Sequence, residues 1–240
     1  MTAADTLVTI ATYNEMENLP LLVEAVFAVA PDVHILVVDD NSPDGTGRWC
    51  DEYAAKDSRL RCIHREGKLG LGTATILALQ TGIQQGYRYI LNMDADFSHP
   101  PEKIPELIAA MAPCESPPAD VAIGSRYVPG GTVAGWPRTR RWMSAAVNGY
   151  ARLLLRLPVR DCSGAFRCYR ASRLQKLDFA TIQSRGYSFQ EEVLYRLKRA
   201  GTVFREVPIT FTDRRRGKSK INTREALEAL LIIARLGLFG

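Results

Sequence analysis

Tyr89-Ile90-Leu91-Asn92-Met93-Asp94-Ala95-Asp96-Phe97-Ser98-His99-Pro100 is the stretch on which the reading of this chain turns. It is a short apolar strand that runs into two carboxylates one residue apart. Period-two alternation predicts that Asp94 and Asp96 lie on the same side of an extended chain. Carboxylates so placed repel unless something positive lies between or beyond them. A hard divalent ion bridging phosphate oxygens meets that need. Pro100 and Pro101 stop the strand and fix the exit of the turn. An isolated Asp-x-Asp is more often a loop with two exposed acids, so the flanking chain has to decide between the readings.

Upstream, Leu7-Val8-Thr9-Ile10-Ala11 reads as a strand followed by the polar turn Thr12-Tyr13-Asn14-Glu15. Asn18 is placed to cap a helix, with Pro20 tolerated in its first turn. Leu22, Ala25, Val26 and Val29 form that helix's apolar stripe. His34-Ile35-Leu36-Val37-Val38 is nearly all apolar, as in a strand covered on both faces. It ends at Asp39-Asp40-Asn41-Ser42-Pro43-Asp44-Gly45-Thr46, and a second helix follows through Cys50 and Tyr53. The order is βαβα. Right-handed crossovers then predict an α/β fold with a mostly parallel central sheet flanked by helices, and ligands beyond the carboxyl ends of its strands. Tyr13, Glu15, Asp39, Asp40, Asp94 and Asp96 all fall at such ends. Three acidic turns at one edge point to a site.

Leu60 to His64 is a further strand, and Lys68-Leu69-Gly70-Leu71-Gly72-Thr73-Ala74 opens a helix towards Gly82. The glycine-spaced turn either offers free N–H groups to a phosphate or is simply tight; it matches neither a dinucleotide fingerprint nor a P-loop. His34 and His64 read as structural or surface residues. Glu102 to Ala112 can form a helix. Val121 to Tyr127 is a strand with Arg126 just past its end, where an arginine is either a bidentate phosphate contact or a plain surface residue.

In the second half, a helix is expected from Trp136 to Leu157, with the segment 134–157 amphipathic. Met143, Val147, Tyr150, Leu154 and Leu157 form its stripe, widened by Trp142, Leu153 and Leu155 and flanked by Arg138, Arg140, Arg141, Arg152 and Arg156. Such a helix lies in a membrane interface with its arginines reaching lipid phosphate, or packs on the domain with its arginines solvated. The acid of Asp161-Cys162-Ser163-Gly164 is suited to orient a ligand or a basic partner. Gln190, Glu191 and Glu192 begin a helix where carboxylates suit the dipole, or point into the site. Residues 203–211 read as edge-strand material, interrupted by Pro208. Asp213-Arg214-Arg215-Arg216-Gly217-Lys218-Ser219-Lys220 reads as a flexible anion clamp. Asn222 and Glu225 form a capping box for an amphipathic helix over 222–240, with Leu227, Leu230, Leu231, Ala234 and Leu238 on its apolar face. That helix is suited to touch a bilayer or a membrane-embedded subunit.

At 240 residues the chain has room for one sizeable core, taken as a single domain over 1–240. The net charge of +5 is concentrated in arginine clusters, which favours a polyanionic substrate or an anionic surface. No nucleic-acid-binding motif accompanies that charge, so nucleic acid is not expected as a partner. Five cysteines without ladder-like spacing predict reduced thiols in a cytosolic compartment. No secretory signal is read at the N-terminus, and no apolar run approaches the roughly 18 residues needed to span a bilayer.

Taken in order, Thr12-Tyr13-Asn14-Glu15, Val38 to Thr46, Lys68 to Gly72, Met93 to Pro100, Gly124-Ser125-Arg126-Tyr127, Asp161 to Arg167 and Phe211 to Lys220 resemble the family 2 glycosyltransferases of GT-A fold. Within them the chain is most similar to the dolichol-phosphate (polyprenol-phosphate) mannose synthases. The resemblance implies transfer of mannose from GDP-mannose to a polyprenyl monophosphate with Mg²⁺ or Mn²⁺ as cofactor. Tyr13, Glu15, Asp39 and Asp40 would hold the nucleoside, with Ala95, Gln190 and Glu191 also on the donor side. Asp94 and Asp96 would serve the donor and its metal, with Ser98 where many relatives carry a metal-contacting glutamine. Arg126, Arg214 and Lys220 would bind phosphates. Ala11 replaces a frequent proline of the family. The resemblance is to a compact subclass without transmembrane helices, which acts peripherally on the cytosolic face of a membrane or recruits small transmembrane subunits. A UDP-glucose-dependent glucosyltransferase built on the same plan and a catalytically silent membrane-peripheral scaffold are the alternatives.

Overall fold

The computed structural model describes residues 5–112, 117–184, 186, 188–213 and 223–239. The apolar runs form β1 (Thr6–Thr12), β2 (His34–Asp39), β3 (Leu60–His64), β4 (Tyr89–Asp94) and β5 (Val121–Ser125). Between and after them lie α1 (Leu19–Val29), α2 (Thr46–Ala54), α3 (Leu71–Gln84) and α4 (Ile104–Ala109). The second half adds β6 (Thr132–Ala134), α5 (Arg138–Leu154), β7 (Arg167–Arg170), α6 (Ala171–Leu174), α7 (Phe189–Arg199), β8 (Phe204–Pro208), β9 (Thr210–Thr212) and α8 (Thr223–Phe239).

Seven strands form one sheet in the order β3-β2-β1-β4-β7-β5-β8, and β6 and β9 pair separately. All neighbours in the large sheet are parallel except β7, which runs antiparallel to both β4 and β5. The expected mostly parallel α/β sheet is present. Side-chain alternation divides its core: Val8, Ile10, Ile35, Val37, Leu91 and Met93 face α1, α2 and α4. Leu7, Leu36, Val38 and Ile90 face the other layer, with α3, α7 and α8. Because both faces are covered, these strands read as continuous apolar runs.

Register aligns the strand ends. Thr12 pairs with Asp39 and Ala11 with Asp94, so the ends of β1, β2 and β4 lie side by side. Several expectations are adjusted. The helix expected over 102–112 is a 3₁₀ turn, Pro101–Lys103, followed by the short α4. The helix expected from Trp136 to Leu157 is α5, Arg138 to Leu154. Asn18 makes no cap hydrogen bond; its Nδ2 donates instead to Glu15 Oε2 at 2.9 Å. Arg214, Lys220 and Asn222, and with them the proposed clamp and capping box, lie outside the described residues.

Helices α5 and α8 pack against each other at close range. A Cβ at Gly237 would meet the Leu154 carbonyl oxygen at 2.8 Å, so only glycine permits this approach. Tyr150 Oη also donates to the Leu230 carbonyl at 3.2 Å. Among the described residues no helix is long and apolar enough to cross a membrane.

Candidate active site

At the ends of β1 and β2 the acids are largely satisfied by the chain. Asp39 is 1% exposed; its Oδ1 accepts from Thr12 Oγ1 at 2.9 Å and Ser42 Oγ at 2.5 Å, and its Oδ2 from the Ser42 amide. Asp44 accepts from the Met16 amide and from Thr46, and those bonds hold its carboxyl below the ordinary value although burial opposes them. The Asn14 amide donates to Ser42 Oγ. Side chains of one turn therefore bind the backbone of the other, joining the two loops as one surface. Asp39 thus has a structural role in that surface.

Asp40 ties down the glycine turn. Its Oδ2 accepts from the Leu69 amide at 3.2 Å, and Arg65 Nη1 lies 2.9 Å from Oδ1. The turn before α3, with Gly70 at φ 102°, closes on a carboxylate of its own chain. Burial nevertheless raises the Asp40 pKa, only partly offset by Arg65. Tyr13 and Glu15 stand at the mouth of the same edge, with Lys68 Nζ 5.1 Å from the centroid of the Tyr13 ring.

The Asp-x-Asp turn departs from the alternation argument. Strand pairing ends at Asp94, and residues 95–97 bend, with Phe97 at φ 60°. A turn, rather than an extended strand, sets the relation of Asp94 to Asp96. His99 supports it. This histidine is 2% exposed, stacked on Phe166 with centroids 5.1 Å apart, and its Nδ1 accepts the Asp94 amide hydrogen at 3.0 Å. Nδ1 is therefore unprotonated, which leaves the proton on Nε2, 3.8 Å from Asp94 Oδ2. Burial lowers the His99 pKa and favours that neutral form. Sequence reasoning gave His99 no role; the only signal was its position in the stretch itself. The Ser98 amide donates to Asp96 Oδ1 at 3.1 Å, while Ser98 Oγ is buried without a partner.

No group of three or more His, Cys, Asp or Glu among the described residues is arranged to hold a metal. The donors present are the carboxylates of Asp94 and Asp96 and the orphan hydroxyl of Ser98. These hard oxygens fit a magnesium- or manganese-type ion that completes its shell from phosphate and water.

Arg126 is largely committed within the fold. Its Nε and Nη2 each lie 2.7 Å from the two oxygens of Asp161, and its amide donates to the same carboxylate at 3.0 Å. Burial opposes both charges, but the pairing raises the Arg126 pKa and lowers that of Asp161. The bidentate partner is a carboxylate of the chain, and among the described residues Nη1 is the guanidinium nitrogen left without one.

Behind this pair, fully buried Arg167 donates to the carbonyls of Gln190 at 2.8 Å and Cys162 at 2.6 Å. Glu192 is also internal, accepting from the Gln183 and Ser184 amides and from Arg196. Glu191 differs. It is 4% exposed, Oε2 lacks a partner, and burial pushes its carboxyl up to about 7. Gln190 Oε1 is likewise buried and unpartnered.

Beside Arg126 opens a cavity of about 480 Å³ lined by Tyr127, Gly131, Thr132, Val133, Trp136, Arg138, Arg141, Trp142 and Ala145. One wall is formed by the turn after β5 and by β6, the other by α5. Only Asn148 and Ala151 of α5 are buried, and Trp142 and Leu153 are each 78% exposed. The predicted stripe is thus uncovered in its first half, with Met143 and Val147 exposed, whereas Tyr150 and Leu154 are partly buried and Leu155 and Leu157 join the core.

Residues 7–178 match the family model described as "Glycosyl transferase family 2". Polyprenol monophosphomannose synthase of Mycolicibacterium smegmatis is 46% identical over 236 residues, 98% of this chain and 88% of that protein. Undecaprenyl-phosphate mannosyltransferase of Micrococcus luteus is 43% identical over 229 residues, covering 95% and 92%. Among solved structures, glucosyl-3-phosphoglycerate synthase of Mycobacterium tuberculosis with Mn²⁺, UDP and phosphoglyceric acid superposes with a TM-score of 0.65 at 17% identity, covering 98% of this chain and 77% of that one. That likeness bears on the fold alone. With the parallel sheet, the acidic edge and the family match in agreement, the chain belongs to glycosyl transferase family 2.

Proposed function

We propose that this glycosyltransferase moves mannose from GDP-mannose to a polyprenyl monophosphate, inverting the anomeric centre. The observation that carries the reading is the cavity in which Arg126, Arg138 and Arg141 stand beside Trp136 and Trp142, at the foot of an uncovered amphipathic helix. Cations meet a phosphate, and indole rings meet the first isoprene units. Both relatives are named for mannosyl transfer to such lipids. The exposed face of α5, with Leu231 and Leu238 of α8, suits a peripheral place on a membrane.

The acceptor phosphate is largely ionised near neutral pH, its second pKa being about 6. No strong general base is needed, and Asp161, locked to Arg126, is not placed to be one. A phosphate oxygen forms a bond to the anomeric carbon while the bond to the GDP oxygen breaks, its electron pair leaving with GDP. Attack from the opposite face turns an α-linked donor into a β-mannosyl phosphate. The arginines bring two anions together. Asp94 and Asp96, with Ser98, would hold a divalent cation, which supplies charge neutralisation for the diphosphate. Tyr13 and Glu15 would face the nucleoside, and the unpartnered oxygens of Gln190 and Glu191 the sugar hydroxyls.

The test is transfer from labelled GDP-mannose to a short polyprenyl monophosphate in detergent with Mg²⁺ or Mn²⁺, UDP-glucose running in parallel. Product from GDP-mannose, reduced on the order of 10³-fold by Asp96→Ala, is expected. Product from UDP-glucose alone would overturn both the sugar and the nucleotide.

A further inference from the structure

Helix α5 carries one wall of the cavity without being embedded in the fold along that wall. None of residues 138–147 is buried. Of its cavity-lining residues, Arg138, Arg141 and Ala145 descend the helix at spacings of three and four, with Trp142 beside Arg141. The next residue on the same face is Asn148, which is 5% exposed and the first buried residue of the helix.

Both ends of the Asn148 amide are used, and both reach one loop. Nδ2 donates to the Arg160 carbonyl, and Oδ1 accepts the Cys162 amide hydrogen at 2.7 Å. The residue held between those bonds is Asp161, the carboxylate that grips Arg126. From the opposite side, Glu206 of β8 accepts the amides of Arg160 at 2.8 Å and Asp161 at 2.9 Å. The loop is thus fixed to the sheet by one carboxylate and to α5 by one amide. Tyr127 Oη and Ser144 Oγ, 2.9 Å apart, add a second tie one turn up the helix.

We propose that Asn148 is a positioning residue for the acceptor: it sets the separation between Arg126 at the end of β5 and Arg138 and Arg141 on α5. The inference rests on the acceptor site proposed above. From Asn148 to Arg138 is ten residues, about 15 Å of helix. A tilt of about 5° at this anchor moves the far arginine by roughly 1 Å, enough to spoil a multi-point phosphate contact. The donor side is built on β1, β2 and β4, whereas α5 packs chiefly on α8, so the donor side does not share that motion.

Asn148→Ala removes both bonds. Asn148→Ser leaves a smaller, uncharged polar group at the site, so an intermediate effect is expected. The measurements are KM for a short polyprenyl monophosphate, KM for GDP-mannose, and the Kd of the prenyl phosphate read from fluorescence of Trp136 and Trp142. An acceptor KM and Kd raised at least about tenfold in Asn148→Ala, with donor KM within twofold, is the result expected. A residue that merely held the fold together would lower kcat through the active fraction and leave both KM values alone. That outcome, or an equal rise in both KM values, overturns the proposal. Should Asn148→Ala not fold, the Asn148→Ser values decide by the same criterion. If the wild-type protein binds prenyl phosphate but transfers nothing to it, the functional reading fails while the Kd comparison still judges Asn148. If it does not bind, both fail.

Discussion

The two halves of the sheet's carboxyl edge treat charge in opposite ways. At the ends of β1 and β2, Asp39, Asp40 and Asp44 are met by hydroxyls, amides and one arginine of the same chain. Around the cavity beyond β5, Arg138 and Arg141 are exposed and Trp142 stands in solvent. The first half spends its polar groups on shape and presents a preformed rim. The second leaves cations and apolar surface for something outside the chain. A site that handles a soluble nucleotide-sugar on one side and a lipid phosphate on the other needs that asymmetry, because preorganisation lowers the cost of binding a small polar ligand, whereas an interfacial helix must keep its apolar face open.

Three measurements would break or sharpen the contrast. The largest effect is expected at Asp161, where the acidic economy of the first half reaches into the second. Asp161→Asn leaves Arg126 buried without a counter-charge and should lower the unfolding free energy by about 3–5 kcal/mol, read from denaturant titration. A loss below about 1 kcal/mol would mean that water replaces the carboxylate and that the basic half is soft throughout.

Glu191 comes next. Its carboxyl is pushed up to about 7 by burial, against an ordinary 4.5. Below 4.5 the folded and unfolded chains are both protonated there; as pH rises to about 7 the folded state retains a proton that the unfolded state has lost, so stability falls across that window. Glu191→Gln should therefore gain up to about 3 kcal/mol over the wild type at pH 8 and nothing at pH 4.5. An equal gain at both values would show that size or hydrogen bonding, not charge, is at issue.

The smallest effect on the fold is expected on the open face of α5. Trp142→Ala with Leu153→Ala removes two exposed side chains, so the denaturation midpoint should hardly move. Sedimentation with anionic vesicles should fall about tenfold or more. Unchanged vesicle binding would assign the uncovered face to another role.

Much of the frame was legible in the sequence because burial on both faces leaves a plain mark. The runs at Leu7, His34 and Tyr89 are mostly apolar, and each became a strand of the central sheet. The acids Asp94 and Asp96 and the apolar stripe of α5 were legible as residue types, but not the bend that relates the two acids nor how much of the stripe is covered. Partnership was not legible. Asp39 and Asp94 are both acids at strand ends, but only the structure distinguishes one enclosed by Thr12 and Ser42 from one whose side chain is 36% exposed. Arg126 read as a phosphate fork because its fork partner, Asp161, lies 35 residues away. His99 and Asn148 were missed for the same reason: a buried polar side chain joined to backbone has no periodicity to betray it.

The reversal of β7 has a consequence for how many loops this edge can host. In a purely parallel sheet each strand delivers only its outgoing connection to the ligand-binding side, and incoming connections lie at the far end. Strand β7, wedged antiparallel between β4 and β5, delivers its incoming connection instead. Run the other way, its four residues would carry the preceding loop about 13 Å to the opposite rim. One inverted strand thus places the loop holding Asp161 between the outgoing loops of β4 and β5, seating a negative anchor beside Arg126 where a regular crossover would have left a gap.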